Sequence, residues 1–139
     1  MVDQNCAYCV ECDLVAKFGI KICELETSKV YLFKEQSHPG RCIVAHKKHV
    51  GDMNELTAEE RAAYFEDVAR VARAIMAAFH PDKVNYGAYG DTGHHLHFHL
   101  CPKYKDEFEW GGVFLMNPDK KYLTDAEYAE MIEKIKANM

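Results

Sequence analysis

The alternation of histidine with large apolar residues over positions 95–100 constrains the fold more than any other feature of this chain. A strand places residues i, i+2 and i+4 on one face, so the alternation predicts a half-buried strand. His95, His97 and His99 are expected to share one face, while the leucine, phenylalanine and leucine between and after them enter the core. Because an imidazole titrates near neutral pH, it can act as nucleophile, acid, base or metal ligand. We therefore expect this strand to carry chemistry.

Length, charge and cysteine content limit the classes of protein to consider. With 139 residues and 48% hydrophobic content, the chain is expected to form a single domain over residues 1–139, with a core that needs no disulfides. The net charge of −5 argues against binding to nucleic acid, which requires clustered Lys and Arg. No apolar run is long enough to span a membrane, and the polar start does not resemble a signal peptide. A cytoplasmic location is therefore predicted, with the six cysteines as reduced thiols or metal ligands.

Two early cysteines, Cys6 and Cys9, form a C-x2-C motif that Cys12 follows three residues later. Two thiolates at this spacing can bind one tetrahedral metal, but a zinc site needs two further ligands from elsewhere in the chain. The motif alone is equally consistent with small buried residues near the amino terminus. A redox role is disfavoured because no strand precedes the motif. The remaining cysteines lie singly in apolar surroundings and are predicted to pack in the core: Cys23, Cys42 and Cys101.

The rest of the chain predicts an α+β fold. Short apolar runs at 20–25, 29–33 and 41–45 indicate three strands joined by turns, and 84–89 indicates a fourth. Thr57 and Glu60 form a capping box that opens a long helix, which His80-Pro81 ends, and Thr124 opens a second helix in the same way. The glycine-containing turn 90–93 leads into the histidine strand, and Pro102 is expected to end the ladder of that strand.

In this order, the motifs resemble the histidine triad (HIT) family of nucleotide hydrolases and transferases. The resemblance rests on H-x-H-x-H at 95–99, the early C-x2-C, a Lys-x-His ending at His49, the long helix and a strand that carries Asn85. It covers most of the chain. It implies a compact domain with an antiparallel sheet of about five strands, a long helix packed on that sheet and a C-terminal helix. It also implies a homodimer whose long helices meet.

Two other interpretations of the three histidines are less favourable. A strand rises about 3.3 Å per residue, which separates His95 from His99 by roughly 13 Å, too far for both to bind one zinc ion easily. A polar stripe facing solvent by chance would more often mix lysine, threonine and glutamate. Catalytic use of the histidines is therefore the favoured interpretation.

The resemblance implies catalytic roles for His95, His97 and His99. His97 would attack the α-phosphorus of a nucleotide and form a covalent nucleotidyl-histidine intermediate, while His99 would hold phosphate oxygens. Asn85 and Thr92 match polar substrate contacts of the family. The implied substrates are nucleoside phosphoramidates, adenylylated amines or dinucleoside polyphosphates, with no organic cofactor. The alternative is a nucleotide-binding or sensing module with little turnover.

Arg41 departs from the family pattern, since many members have a fourth histidine at this position. Arginine stays protonated and cannot act as a base. It can bind a phosphate through two hydrogen bonds, which would favour substrates with additional phosphates. The alternative is that Arg41 pairs with a carboxylate on the surface.

A structural zinc ion is also implied by resemblance. The galactose-1-phosphate uridylyltransferases, a metal-binding branch similar to this family, combine an early C-x2-C with a later histidine and the first histidine of the triad. The corresponding ligands here are Cys6, Cys9, His49 and His95. Cys12 is the alternative ligand if His49 points away, and a site without metal, with reduced thiols, is the other possibility.

Overall fold

A five-stranded antiparallel sheet forms the centre of the molecule in a computed structural model, which describes residues 2–11 and 13–139. Cys12, the alternative zinc ligand, lies outside the described residues. The strands lie in the order β1-β2-β3-β5-β4. Their bounds are β1 Gly19–Glu24, β2 Ser28–Phe33, β3 Cys42–His46, β4 Lys83–Gly87 and β5 His97–Lys103. The prediction of an α+β fold with about five antiparallel strands is confirmed.

Four helices accompany the sheet in the described part of the chain: α1 Ala7–Val10, α2 Asp13–Ala16, α3 Ala58–Phe79 and α4 Asp125–Ala137. The predicted capping box opens α3, because Thr57 accepts from the backbone of Glu60 and the Glu60 carboxylate accepts from the backbone of Thr57. The left-handed backbone of His80, with φ of 52°, ends α3 before Pro81. Within residues 2–11 and 13–139, no helix has the length and apolar character required to cross a membrane.

The two faces of the sheet are covered by different parts of the chain. Helices α3 and α4 pack on one face and build the larger core, which includes Val30, Leu32, Val44, Val71, Ile75, Leu96, Leu100 and Ile135. The short amino-terminal helices cover the opposite face, where a smaller cluster contains Tyr8, Val15, Tyr31, Phe33, Ile43 and Ala45. His97 lies across from Ala45, and His99 from Ile43, so the triad is on this second face. The predicted division between histidine and apolar positions is confirmed.

The histidine strand differs from its prediction at both ends. It begins at His97, so His95 lies in the preceding loop. The prediction that its ladder ends at Pro102 is wrong, because Pro102 pairs with Val84 and the strand continues to Lys103. Strand β3 accompanies β5 only as far as Leu100. Pro102 therefore has a neighbouring strand on one side only, as at a sheet edge, where a missing N–H is tolerated.

Candidate active site and metal-ligand cluster

A cavity of about 770 Å³ opens over the histidine face of the sheet. Its walls come from the amino-terminal segment, the loop before β5 and the segment around Phe114, and the His97 ring contributes to its floor. Thr92 lines this cavity, and a Cβ added at Gly93 would lie at an ordinary contact distance of 3.9 Å from Cε1 of the His97 ring. The site is thus a pocket lined by four histidines, of which His97 is a member of β5.

A backbone carbonyl fixes the tautomer of His97. Its Nδ1 lies 2.7 Å from the carbonyl oxygen of His95, and a carbonyl only accepts, so Nδ1 carries the proton. Burial lowers the pKa of His97, which keeps the ring neutral at pH 7. The Nε2 atom therefore has a free lone pair. A neutral imidazole with a fixed tautomer and a free nitrogen is suited to nucleophilic attack.

Tyr8 covers the first two histidines of the triad. Its ring centroid lies 5.1 Å from that of His97 and 5.3 Å from that of His95. Only 7% of Tyr8 is exposed, and its ring also packs against Phe18 and Tyr31. The position of Tyr8 could have been predicted indirectly from the sequence. Tyr8 lies between Cys6 and Cys9, so it must lie near His95 if both cysteines do.

Arg41 is buried beside His99. Its guanidinium nitrogen Nη2 lies 3.1 Å from His99 Nδ1 and also donates to the carbonyl of Met116, while Nη1 donates to the carbonyl of Leu115. The guanidinium carbon lies 4.2 Å from the ring centre of Phe33 and 4.9 Å from that of Phe114. The alternative of pairing with a surface carboxylate is wrong, because Arg41 is 0% exposed.

Arg41 and Asn85 do not line the cavity that contains His97. Asn85 shares the histidine face, opposite Cys101, but lines a separate cavity of about 320 Å³ together with Lys103 and Trp110. His99 is more deeply buried than His97, and its ring centroid lies 5.4 Å from that of His97. The structure thus brings Thr92, His95 and His97 to one cavity, while His99 lies behind His97 outside its lining and Asn85 lies further along the sheet.

The four predicted metal ligands do come together. Cys6 Sγ lies 3.2 Å from His95 Nδ1, and Cys9 Sγ lies 3.7 Å from the same atom. His49 Nδ1 lies 3.3 Å from Cys9 Sγ and 3.1 Å from His95 Nδ1. All four ligand atoms are within 4.8 Å of one another. Zinc bonds of about 2.3 Å to sulfur and about 2.0 Å to nitrogen give tetrahedral edges of roughly 3.3–3.8 Å, so the cluster fits zinc with little rearrangement.

Local structure explains why these ligands converge. Cys6 is the residue before α1, and its carbonyl accepts from the backbone N–H of Cys9 and Val10, which places both thiols on one side of a single helical turn. His95 Nε2 lies 2.6 Å from the carbonyl oxygen of His46 and must donate to it. Its Nδ1 therefore points its lone pair into the cluster, the orientation that a metal-binding histidine usually receives from such a partner.

The charge around the main cavity is negative. Asp3 and Asp91 contribute carboxylates to its wall, and among the described residues no Lys or Arg side chain lines it. The wall formed by Val113, Phe114 and Met116 is apolar. No sequence pattern identified this segment, because it has no regular secondary structure and reaches the site only through tertiary packing.

Comparison with known proteins agrees with this architecture. An adenosine 5'-monophosphoramidase of Schizosaccharomyces pombe is 27% identical over 99 residues, which cover 66% of this chain and 70% of that protein. A histidine triad protein from Sinorhizobium meliloti superposes with a TM-score of 0.83 at 21% identity, covering 90% of this chain and 93% of that one. A zinc-bound histidine triad family protein from Mycobacterium smegmatis gives a TM-score of 0.68 at 23% identity, covering 97% and 93%. The model of the HIT domain matches residues 19–106, well over half of the sequence, and the chain therefore belongs to the HIT family.

Proposed function

We propose that this protein is a nucleotide hydrolase or transferase that acts at the α-phosphorus through a covalent nucleotidyl intermediate on His97. The observation that carries the proposal is the bond from His97 Nδ1 to the carbonyl of His95, since it leaves Nε2 unprotonated at the cavity. The similarity to a phosphoramidase of Schizosaccharomyces pombe supports a hydrolytic reaction.

The proposed reaction has two steps. His97 Nε2 attacks the α-phosphorus, a P–N bond to the enzyme forms, and the bond to the leaving group breaks as that group takes up a proton from solvent water. Water or another acceptor then attacks the same phosphorus and gives its proton to solvent, the P–N bond breaks, and the nucleotidyl product leaves with neutral His97 regenerated. Dividing one difficult displacement into two easier ones is the benefit of covalent catalysis.

The other triad members and Thr92 have supporting roles in this proposal. His99 and the Thr92 hydroxyl would bind phosphoryl oxygens as negative charge develops. His95 would act through its carbonyl, which fixes the tautomer of His97. Substrate contacts by Asn85 and Arg41 stay predictions, because neither residue lines the cavity of His97.

The charge of the cavity favours one of the two substrate classes. A dinucleoside polyphosphate carries several negative charges and would meet Asp3 and Asp91 without a neutralising Lys or Arg among the described lining residues. A nucleoside phosphoramidate or adenylylated amine carries fewer negative charges, and an amine leaving group is compatible with nearby carboxylates. We therefore propose amine-bearing substrates first and dinucleoside polyphosphates second.

The test compares turnover of adenosine phosphoramidate with that of a diadenosine polyphosphate, with adenosine monophosphate release as the measurement. His97→Ala is expected to abolish turnover while nucleotide binding stays within about tenfold, because one imidazole adds little ground-state affinity. A denaturing quench at alkaline pH, followed by intact mass measurement without acid, should detect the nucleotidyl adduct, because a P–N bond to imidazole is labile in acid. His80→Asn is the matched control, since it replaces an exposed histidine at the end of α3 by a residue that tolerates the same left-handed backbone.

Turnover by His97→Ala equal to that of the wild type would refute the assignment of the nucleophile. Tight nucleotide binding by the wild-type protein without mononucleotide release from either substrate would instead support the second candidate, a nucleotide-binding or sensing module.

We also propose that Cys6, Cys9, His49 and His95 bind a structural zinc ion. The tetrahedral spacing of the four ligand atoms supports this, as does the zinc-bound relative from Mycobacterium smegmatis. A bound zinc would supply a cross-link between the amino-terminal segment and the loop that precedes the nucleophile. Cys6 and Cys9 would contribute thiolates, and the two histidines would bind through Nδ1.

A homodimer in which the long helices α3 meet, together with the neighbouring edge strand β4, is a further part of the proposal. Strand β4 has a neighbour on one side only, its Tyr86 is 51% exposed, and Met76 of α3 is 42% exposed. These side chains line a shallow surface groove between β4 and α3. Ultracentrifugation of the wild type and of Tyr86→Glu tests this, with a dimer expected only for the wild type.

Three further statements stay predictions: a single domain over residues 1–139, a cytoplasmic location, and the lack of nucleic-acid or membrane partners.

A further inference from the structure

We infer that Arg41 is a positioning residue that holds the His99 imidazole in the neutral form protonated on Nε2. The contact responsible joins Arg41 Nη2 to His99 Nδ1 over 3.1 Å in a buried site. A guanidinium has five N–H donors and no acceptor, and it does not lose its charge in proteins. The imidazole nitrogen that faces it must therefore be the acceptor, so the ring proton of a neutral His99 is on Nε2.

Arg41 is itself held firmly enough to impose this tautomer. Its two terminal nitrogens donate to the carbonyls of Leu115 and Met116, and its guanidinium lies between the rings of Phe33 and Phe114. Its own carbonyl accepts from the backbone N–H of Phe33, which continues the pairing of β2 past the start of β3. The guanidinium cannot turn towards solvent without breaking several of these contacts at once. It therefore acts as a fixed donor.

The charged and titratable groups near the His99 ring are few. Two of its neighbours carry titratable side chains: Arg41, which precedes β3, and His97 of β5. The others are uncharged: Phe33 of β2, Phe114 and Gly87 of β4. Protonation of His99 at Nδ1 would place a second cation against Arg41 and break their hydrogen bond. Burial and the Arg41 charge lower the pKa of His99 to about 3. His99 is therefore a permanent donor through Nε2 and carries no proton between substrate and solvent.

This inference assigns a role to the buried guanidinium of Arg41. Its kinetic consequence rests on the proposed function: a phosphoryl group on His97 would meet an N–H donor whose protonation does not change over the physiological pH range. The same guanidinium connects His99 to the segment that forms the apolar wall of the cavity, through Leu115 and Met116. Arg41 thus positions both the Nε2–H donor of His99 and the apolar wall of the cavity, while it lies outside the lining of that cavity itself.

Side-chain ¹⁵N NMR tests the tautomer without any assay of turnover. In the wild type we expect His99 Nδ1 to show the shift of an unprotonated nitrogen and Nε2 that of a protonated one, unchanged from pH 5 to pH 9, with the signals assigned by comparison with His99→Gln. In Arg41→Met we expect a mixture of tautomers. Arg41→Lys, which restores a cationic donor, should recover the wild-type pattern in part. A protonated Nδ1 in the wild-type protein would overturn the inference even if no Arg41 variant folds.

Steady-state kinetics distinguish a positioning role from a phosphate clamp. Arg41→Met is expected to lower kcat by about 10- to 100-fold, less than the roughly 100- to 1,000-fold for complete loss of an oriented donor because the His99 ring is still present, with KM changed less than about threefold. The fold loss should be the same for phosphoramidate and polyphosphate substrates. A rise in KM confined to polyphosphates would show that Arg41 binds phosphate directly and would overturn the positioning role. Failure of the proposed function would remove turnover from the wild type but leave the NMR result unchanged.

Discussion

Replacing Cys9 with serine is predicted to release the amino-terminal segment from the sheet while the rest of the fold stays intact. Ordering residues 3–11 costs roughly 1–2 kcal/mol per residue, on the order of 14 kcal/mol in total. Against this, burial of the Tyr8 ring contributes about 3 kcal/mol. The bonds of Lys29 to the Tyr8 carbonyl and to Glu11, and that of Tyr31 to Glu11, contribute about 1–1.5 kcal/mol each.

These contacts together supply about 7 kcal/mol, roughly half of the ordering cost, and we expect the proposed zinc ion to supply most of the remainder. Structural zinc sites contribute about 10–16 kcal/mol of apparent binding free energy, which is enough. The larger core between the sheet, α3 and α4 does not include this segment, so it should survive without the metal. We therefore expect local unfolding rather than loss of the whole fold.

Hydrogen exchange followed by mass spectrometry measures this directly. The wild type purified without chelator should contain close to one zinc per chain and protect residues 3–11. Cys9→Ser should lose the metal, the protection of that segment and several degrees of melting temperature, while α3 stays protected. Cys23→Ser is the control, because Cys23 is a half-buried cysteine on β1 outside the cluster. Full protection of residues 3–11 in metal-free Cys9→Ser protein would refute the reasoning.

Two further predictions concern charge. Burial alone would raise the pKa of Glu11, but bonds from Tyr31 and Lys29 lower it to about 2. A lowered folded-state pKa contributes stability above pH 4.5 that is lost as the pH falls towards 2, so Glu11→Gln should be less stable than the wild type in urea at pH 7 and nearly equal to it near pH 2. Asp91→Asn should raise kcat/KM for a diadenosine polyphosphate more than for a phosphoramidate, because it removes a negative charge from the cavity wall; equal changes for both would contradict this electrostatic argument.

Local sequence patterns predicted the elements that are determined by interactions between residues close in sequence. The alternation at 95–100 identified which side chains enter the core, and the capping boxes at Thr57 and Thr124 identified the first turns of both long helices. The ligand cluster was also predicted, but through the family resemblance, since nothing in the spacing of Cys9 and His49 indicates that they meet. Pro102 was misjudged because tolerance of proline depends on whether a neighbouring strand is present, and this is a property of the sheet.

The environment of Arg41 shows what local patterns cannot predict. Its burial requires the ring of Phe33 on one side, the ring of Phe114 on the other, and two carbonyls from a segment more than 70 positions away. That segment forms neither a helix nor a strand, so its sequence has no regular spacing of apolar residues from which its position could be predicted. Asn85 illustrates the same limit: its strand and face agree with the prediction, but its position along the strand places it at another cavity.

His95 connects the cysteine–histidine cluster to His97, the proposed nucleophile, with three separate groups. Its Nδ1 lies among the cluster atoms, its Nε2 donates to the carbonyl of His46, and its own carbonyl accepts from His97. Both ring nitrogens are committed to structural contacts, so the first histidine of the triad is unsuited to acid–base chemistry here. Its influence on His97 passes through the backbone instead. We therefore expect any displacement of the cluster to move the carbonyl that fixes the tautomer of His97, and so to change the rate of the proposed reaction.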